Sequence, residues 1–347
     1  MPELTFDYDY LLEQLLALLA IPSPSGRAEP ALRYLETVLR ELGLEPRRTA
    51  KGVLGAIWPG AEEAVRRGLA AHVDTLGAMV KRIRPNGRLV LTRVGGFDWS
   101  SVEGEGCQVF THRGEAIRGS LVPVRASKHV YGTATEGEKG DEAMEMRLDA
   151  RVSTAWDVRD LGIEVGDFVA FDPRPEVAPA GFVRSRYLDN KACVACLLTA
   201  IRAVQQAELR PRRSIWLHFG EYEEVGHGGA SGFPAGLEEL VVLDVGPVGE
   251  GQNADEYRVV LCAKDSHGPY HPGLTGRLRD LARLEGIPFC IDVYPYYGSD
   301  GSAYWHAGGD ARIALIGPGV DATHHYERTH REALLATSRL IAAYVLS

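Results

Sequence analysis

Apolar positions recur with helical spacing near the start of the chain and with strand-like spacing further on. Leucines at three- and four-residue intervals predict amphipathic helices over residues 8–20 and 29–42. From residue 185 onward, apolar runs of strand length alternate with helical segments, which predicts an α/β fold with a largely parallel sheet. The predicted strands are residues 53–58, 68–72, 214–219, 240–244, 258–262, 288–293 and 312–316, and the later helices are residues 190–206, 273–285 and 331–345.

The middle of the chain shows a different pattern. Short apolar runs alternate there with glycine-rich turns, and helical spacing occurs only near residues 153–161. We therefore predict a small all-β domain over residues 79–183, inserted into a main α/β domain formed by residues 1–78 and 184–347. The predicted strands of the insertion are residues 88–93, 108–112, 116–123, 144–148 and 168–171.

Composition and charge exclude several classes of protein. The 347 residues include 38 Lys and Arg against 47 Asp and Glu, and the resulting net charge of −9 argues against a nucleic-acid partner. No apolar run approaches the roughly 20 residues of a membrane-spanning helix. The residues after Met1 lack the basic and apolar regions of a signal peptide. We expect a soluble, cytoplasmic protein with no membrane partner.

The five cysteines do not indicate a disulfide framework, because their number is odd and no secretion signal is evident. Cys193 and Cys196 have the spacing of a redox or metal motif. They lie, however, in an apolar stretch that is typical of a buried helix, and no second pair follows at zinc-site spacing. We interpret both as core residues.

Residues of metal-binding type follow the predicted strands, where open α/β sheets bind their ligands. His72 and Asp74 come at the end of the strand at 68–72, and an extended backbone would put both on one side. A carboxylate that orients an imidazole is a usual partner of a metal-bound histidine. The alternative for this pair is a surface turn.

Carboxylates follow two further breaks in the pattern. Asp189 opens the helix at 190–206 directly after the insertion, where the alternative role is a helix N-cap. Glu221, Glu223 and Glu224 follow the strand at 214–219. Adjacent carboxylates repel one another, so a cation or a shared proton must relieve them if they are buried. One can then be a ligand and the other a general base, and the alternative is a solvated acidic loop.

The last candidates follow the strands at 240–244 and 312–316. Asp244 ends the first of these, and His324 and His325 come after the second. Singly, the acid can be a cap and the histidines a surface turn. Jointly, the carboxylates and imidazoles form the mixed set of ligands that suits zinc, cobalt or manganese, and one carboxylate can bridge two ions.

The motifs around these residues resemble those of the M42-family metallopeptidases, which are dinuclear metal aminopeptidases of the glutamyl, leucyl and deblocking types. The resemblance extends over nearly the whole chain. It rests on AHVDTLG at 71–77, GDFVAFDPRPE at 166–176, RYLDNKA at 186–192, EEVGHGGA at 223–230, LDVGP at 243–247 and THHYERTH at 323–330.

The resemblance implies a zinc-peptidase-like α/β/α catalytic domain with a PDZ-like or barrel-like insertion. It implies that two divalent ions, zinc or cobalt with manganese as an alternative, are bound by His72, Asp189, Glu224, Asp244 and His324. Asp189 would bridge both ions, Asp74 would orient His72, and Glu223 would be the general base. Asn190 stands where the family often has a second Asp. His325 leaves the last ligand open by one position, and Glu221 offers an alternative base.

The function implied by the resemblance is metal-dependent hydrolysis of N-terminal residues from short peptides. The resemblance also implies a homo-oligomer, a tetrahedral dodecamer. Residues 294–310 are candidates for the substrate subsite. An M20-like deacylase or carboxypeptidase shares the ligand types, but its insertion would be α+β. A non-catalytic assembly protein that retains the fold is the other alternative.

Overall fold

The computed structural model describes residues 3–132 and 140–347. The helices are α1 (Tyr8–Leu19), α2 (Glu29–Glu41), α3 (Lys128–Tyr131), α4 (Ala155–Asp160), α5 (Leu188–Gln206), α6 (Pro272–Leu284), α7 (Asp300–His306) and α8 (Arg331–Leu346). The strands are β1 (Arg47–Arg48), β2 (Leu54–Trp58), β3 (Glu62–His72), β4 (Gly77–Ile83), β5 (Leu89–Val94), β6 (Gly106–Phe110), β7 (Ala116–Pro123), β8 (Met144–Leu148), β9 (Phe168–Phe171), β10 (Glu176–Val177), β11 (Phe182–Ser185), β12 (Arg213–Gly220), β13 (Glu239–Leu243), β14 (Gly246–Val248), β15 (Val259–Asp265), β16 (Gly268–Pro269), β17 (Phe289–Val293), β18 (Arg312–Asp321) and β19 (Glu327–His330).

The main sheet is parallel at its centre. Strands β12, β3, β13 and β18 lie side by side in that order, and each neighbouring pair is parallel. The outer strands differ from this centre, because β2 is antiparallel to β12 and β15 is antiparallel to β18, so the sheet is largely but not wholly parallel. A short buried strand of either direction has the same apolar pattern, so the sequence could not distinguish them.

Helices cover both faces of this sheet. Successive residues of β13 contribute to different cores: Val241 belongs to the cluster that contains residues of α1, α5 and α8, and Val242 belongs to the cluster that Trp305 of α7 packs against. This alternation is expected of a strand that is buried on both sides. The predicted α/β/α layering is confirmed. Cys193 and Cys196 are free, buried thiols in α5, as predicted.

The predicted β-rich insertion forms a closed barrel. Its strands follow one another around the barrel in the order β4, β5, β8, β7, β6 and β9. The predicted helical segment is α4, which begins with a capping box between Thr154 and Asp157. Strands β10 and β11 come after the barrel and pair with the main sheet through β19. The domain boundaries at residues 79 and 183 stay a prediction.

Within residues 3–132 and 140–347, the helices are too short or too polar to cross a membrane.

Candidate metal centre

The predicted site residues meet at the carboxyl edge of the central strands. His72 is the last residue of β3, and Gly220 at the end of β12 is its register partner. The loop after β12 carries Glu223 and Glu224, and Asp244 comes directly after β13. Because β12, β3 and β13 are adjacent and parallel, their ends bring these side chains to one edge of the sheet.

The predicted residues form two groups, and the ligand atoms of each group lie within 4.8 Å of one another. We name them the inner group and the outer group. The inner group consists of His72, Glu223 and Asp244, and the outer group consists of Asp189, Glu224 and His324. Each group therefore combines one imidazole with two carboxylates, which are donors that bind divalent transition metals.

His72 presents one ring nitrogen to the centre of the site. The ring is buried, and Nδ1 lies 3.0 Å from the backbone oxygen of Asp74. If Nδ1 carries the proton and donates to that oxygen, Nε2 is left with a free lone pair. Among residues 3–132 and 140–347, Nε2 has no hydrogen-bond partner, and it lies 3.3 Å from Asp189 Oδ1 and 3.5 Å from Glu223 Oε2. This is the orientation of a ligand imidazole.

Asp189 lies between the two imidazoles. Its Oδ1 is 3.3 Å from His72 Nε2, and its Oδ2 is 3.6 Å from His324 Nε2. The peptide bond to Asn190 is cis. Asn190 itself is buried and donates from Nδ2 to the backbone oxygen of Leu243 at 2.7 Å. The amide therefore secures the strand that leads to the inner group, and the carboxylate of Asp189 faces both groups.

Asp74 lies outside both groups and connects them. Its Oδ1 accepts the N–H of Glu223 at 3.2 Å, and its Oδ2 accepts the N–H of Glu224 at 3.3 Å. The hydroxyl of Ser25 also donates to Oδ2, at 2.5 Å. Oδ1 is 3.4 Å from His72 Nδ1. One buried carboxylate thus contacts a ligand ring and the backbone of both adjacent glutamates.

The alternatives to Glu223 and His324 have other contacts. Glu221 accepts the N–H of Ala28 at 3.0 Å, at the N-terminus of α2, and lies outside both groups. His324 Nε2 is 3.5 Å from Glu224 Oε2, whereas His325 belongs to neither group. These contacts favour Glu223 and His324 over their sequence neighbours.

Two buried carboxylates near the groups were not predicted as part of the metal centre, although Asp300 lies within the predicted substrate subsite at residues 294–310. Glu327 accepts the backbone N–H of Asp189 at 3.1 Å and that of His324 at 3.0 Å. Asp300, at the start of α7, accepts the N–H of Gly229 at 2.6 Å. Glu327 lies within the motif at residues 323–330, but nothing in a single sequence distinguishes such an acid from a surface residue.

The glycines after the adjacent glutamates allow that loop to approach α7. A Cβ at Gly229 would overlap the backbone carbonyl oxygen of Asp300, so no larger residue fits there without a shift. The close approach brings Asp300 beside the loop. The carboxylate of Asp300 also contributes to raising the pKa of Glu223.

Burial raises the pKa of the carboxyl groups at the centre. The pKa values of Glu223, Glu224 and Asp244 all lie well above the ordinary range, chiefly because burial disfavours their charged forms. Asp189 is the exception. Burial raises its pKa too, but the neighbouring imidazoles of His324 and His72 outweigh burial and lower it. Asp189 is therefore the most strongly ionised acid of the two groups.

Burial acts on the imidazoles in the opposite sense, because it disfavours their protonated, charged form. Burial lowers the pKa of His72, but Glu223, Asp189 and Asp74 outweigh burial and hold it well above its usual value. Burial likewise opposes the charging of His324, and Asp189 and Glu224 raise its pKa to about 11. The neighbouring carboxylates thus favour the protonated form of both rings, which competes with the binding of a cation. Metal binding at this site should therefore release protons.

The residues present fit a pair of divalent cations. His72 Nε2 is a buried ring nitrogen without a hydrogen-bond partner in the part of the chain that the structure describes, and an unpaired buried polar atom is costly unless a ligand satisfies it. The carboxylates around it repel one another and need positive charge nearby. The two groups supply nitrogen and oxygen donors, and the carboxylate shared between their imidazoles is placed to bridge.

A cavity of about 280 Å³ opens beside both groups. Side chains of the centre form one wall, and the segment Tyr296, Tyr297, Gly298, Ser299 and Asp300 forms part of another. This segment lies within residues 294–310, where the sequence placed candidates for a substrate subsite. His306, from the same range, and His267, which the sequence did not single out, also line the cavity, with their rings 5.0 Å apart.

Comparison with known proteins gives consistent matches along the chain. The family model described as M42 glutamyl aminopeptidase matches residues 52–340. The Bacillus subtilis (strain 168) protein named "Putative aminopeptidase YhfE" is 44% identical over 336 residues, which cover 97% of each chain.

Solved structures with low sequence identity share the fold. Aminopeptidase APDkam598 from the archaeon Desulfurococcus kamchatkensis has a TM-score of 0.86 at 20% identity and covers 97% of this chain and 95% of its own. The Pyrococcus horikoshii TET1 peptidase, which can assemble into a tetrahedron or a large octahedral shell, has a TM-score of 0.83 at 22% identity, with 97% and 99% covered.

Proposed function

The chain belongs to the M42 family of aminopeptidases, and on this premise we propose that it removes N-terminal residues from short peptides at a centre that holds two divalent cations. The observation that carries the proposal is the position of Asp189. Its two carboxylate oxygens face two different imidazoles, at 3.3 and 3.6 Å. A bridging carboxylate is characteristic of two-metal hydrolases.

The proposed ligands divide between the two groups. His72 and Asp244 would hold the inner cation, Glu224 and His324 would hold the outer cation, and Asp189 would bridge both. Zinc or cobalt suits these donors best, with manganese as an alternative. Bound cations lower the pKa of water and polarise a scissile carbonyl.

Glu223 is the proposed general base. Its Oε2 lies 3.5 Å from His72 Nε2, and its side chain borders the cavity. The backbone N–H of Glu223 donates a hydrogen bond to Asp74, which fixes the backbone that carries the Glu223 side chain. We assign Glu223 to take a proton from the attacking water and to return it to the leaving amine, which is the two-way proton transfer that amide hydrolysis needs.

The cavity suits the end of a peptide chain. A volume of about 280 Å³ accommodates a terminal residue and its scissile bond, but not a folded substrate. The closed barrel argues against the M20-like alternative, whose insertion would be α+β. The paired donor groups argue against a non-catalytic assembly protein.

Assembly and location belong to the same proposal. The Pyrococcus horikoshii TET1 peptidase, which has this fold, can form a tetrahedron. We propose that this chain is a homo-oligomer too, with a tetrahedral dodecamer as the expected form. The cytoplasmic location stays a prediction from the sequence.

The test of the function uses Glu223→Gln with Glu221→Gln as its matched control. Loss of a general base typically costs about 10²- to 10⁴-fold, so E223Q should lose turnover of an aminoacyl p-nitroanilide by that factor. It should still bind two equivalents of zinc or cobalt. E221Q, whose carboxylate faces Ala28, should retain most activity. Near-normal turnover by E223Q would refute the assignment of the base, and a wild-type protein inactive with every metal would refute the function.

A further inference from the structure

Glu327 contacts the backbone of two proposed ligands although it belongs to neither donor group. It is the first residue of β19, and only 2% of it is exposed. Its Oε2 accepts the N–H of Asp189 at 3.1 Å, and its Oε1 accepts the N–H of His324 at 3.0 Å. One side chain thus ties the start of α5 to the loop before β19 through both of its oxygens.

The start of α5 depends on an acceptor from elsewhere in the chain. The N-cap residue Tyr187 has a φ of +69° and makes no side-chain capping bond. The first N–H groups of a helix have no partner within the helix, and leaving one unpaired in the interior is costly. Because β19 pairs with β11, with Glu327 opposite Ser185, the carboxylate lies beside the chain that enters α5. Asp189 and Asn190 have non-helical backbone angles at the start of α5, and Glu327 supplies the acceptor for the N–H of Asp189 in this kinked segment.

His324 needs the same support for a different reason. Its φ is +65°, in the left-handed region that residues with a Cβ seldom adopt. In this conformation its N–H donates to Glu327, and its Nε2 lies 3.5 Å from Glu224 Oε2. A change in the backbone at this position would move the ring away from the outer group.

We propose that Glu327 is a positioning residue that sets the geometry of the outer cation site. The inference rests on the proposed function, since it assumes that the outer group holds a cation. Glu327 accepts hydrogen bonds from Asp189 and His324 of the outer group, and among the described residues it makes no hydrogen bond to His72 or Asp244. Loss of Glu327 should therefore weaken cation binding at the outer site more than at the inner site.

The test is Glu327→Gln, measured by calorimetric titration of the metal-free protein with Co²⁺ and with Zn²⁺. The amide of Gln has only one acceptor oxygen, so its NH₂ group would face one of the two N–H groups. Loss of a residue that hydrogen-bonds to metal ligands typically costs about 10- to 100-fold in metal affinity. We expect a loss of that size at the outer site and a smaller loss at the inner site, because Asp189 is proposed to bridge both cations and His324 is a ligand of the outer one only. Hydrogen exchange in the metal-free variant should be faster around residues 187–190 and 322–326.

The matched control is Glu105→Gln. Glu105 is also a buried carboxylate, but it pairs with Arg174 and Arg186 instead of ligand backbone. E105Q should keep both affinities. If E327Q fails to fold, Glu327→Asp keeps the charge but is one methylene too short to reach both N–H groups, and it should give the same larger loss at the outer site.

The outcomes separate this inference from the proposed function. A wild-type protein that does not bind two cations would overturn both. A wild type with two sites and an E327Q variant with two unchanged sites would overturn only the role of Glu327. An equal loss at both sites would also overturn it, because general destabilisation would then explain the effect.

Discussion

The inner and outer groups use the same kinds of donor atom but differ in what holds them. In the inner group, His72 ends the central strand β3, its side chain is 1% exposed, and its ring contacts Asp74. In the outer group, the side chain of His324 is 36% exposed and its Nδ1 lies 2.6 Å from the backbone oxygen of Gly96, in the loop after β5 of the barrel.

This difference in exposure and contacts means that the histidine of the inner group is held by the sheet, whereas the histidine of the outer group is held by loops. Donors fixed by packed strands lose little freedom when a cation binds, whereas loop donors must be ordered by other contacts. We therefore expect the inner cation to bind more tightly than the outer one. The outer group also contacts the barrel, through His324 Nδ1 and the backbone oxygen of Gly96, so it lies where the barrel meets the main α/β domain.

The largest expected effect compares His72→Ala with His324→Ala. Each variant lacks a proposed ligand. Because loss of a residue that only supports a ligand already costs about 10- to 100-fold in metal affinity, activity should fall by more than about 100-fold in both. The metal content should differ. H324A should retain one tightly bound cation, and H72A should retain at most a weakly bound one, as measured by elemental analysis after gel filtration.

His325→Ala is the control for this pair. The ring of His325 belongs to neither donor group, so H325A should keep both cations and its activity. If H325A lost a cation and H324A did not, the last ligand would be His325. If H72A and H324A lost metal to the same extent, the proposed ranking of the two sites would be wrong.

A smaller effect is expected from Asp74→Asn, because Asp74 positions donors of both groups. The Asn side chain keeps one acceptor oxygen and cannot accept the N–H groups of both Glu223 and Glu224. We expect both affinities to fall, by about 10- to 100-fold. This parallel loss would contrast with the unequal loss expected for Glu327→Gln.

Ser25→Ala is the graded control for Asp74. It removes only the hydroxyl that donates to Oδ2, and a single hydrogen bond of this kind is worth about 1 kcal/mol. S25A should therefore weaken metal binding less than D74N does. An equal effect of the two variants would mean that Asp74 acts mainly through Ser25.

The comparison also explains what the sequence could and could not predict. His72 and Asp244 were recognisable because each comes where an apolar run ends, and parallel strands bring such ends to one edge. Glu327 and Asp300 could not be recognised in this way. Their roles arise from backbone N–H groups distant in sequence, at Asp189 and Gly229, and only the folded chain brings these together.

The fold shows the same division. Periodicity predicted the central strands and the β-rich insertion, since both depend on local alternation of apolar residues. It could not predict that β15 would run antiparallel to β18, or that the strands of the insertion would close into a barrel. Strand direction and closure depend on pairing between distant segments, which leaves no mark in a local pattern.

The smallest expected effect concerns β12, which leads to glutamates of both groups. His218 of this strand is fully buried and stacks on Phe233, with ring centroids 4.1 Å apart. Burial, with a contribution from Lys51, lowers the pKa of His218 to about 3. The unfolded chain takes up a proton there near the ordinary value of about 6.5. The folded state therefore loses stability as the pH falls from about 6.5 toward 3, and none of this loss occurs at higher pH. At about pH 5 the loss amounts to about 2 kcal/mol at 1.36 kcal/mol per pH unit.

His218→Gln should reduce this part of the acid sensitivity in urea unfolding of the metal-free protein, and His306→Gln, at an exposed position, should not. Equal pH slopes for wild type and H218Q would show that His218 does not contribute to the acid sensitivity, which would then come from other groups such as the donors at the end of this strand.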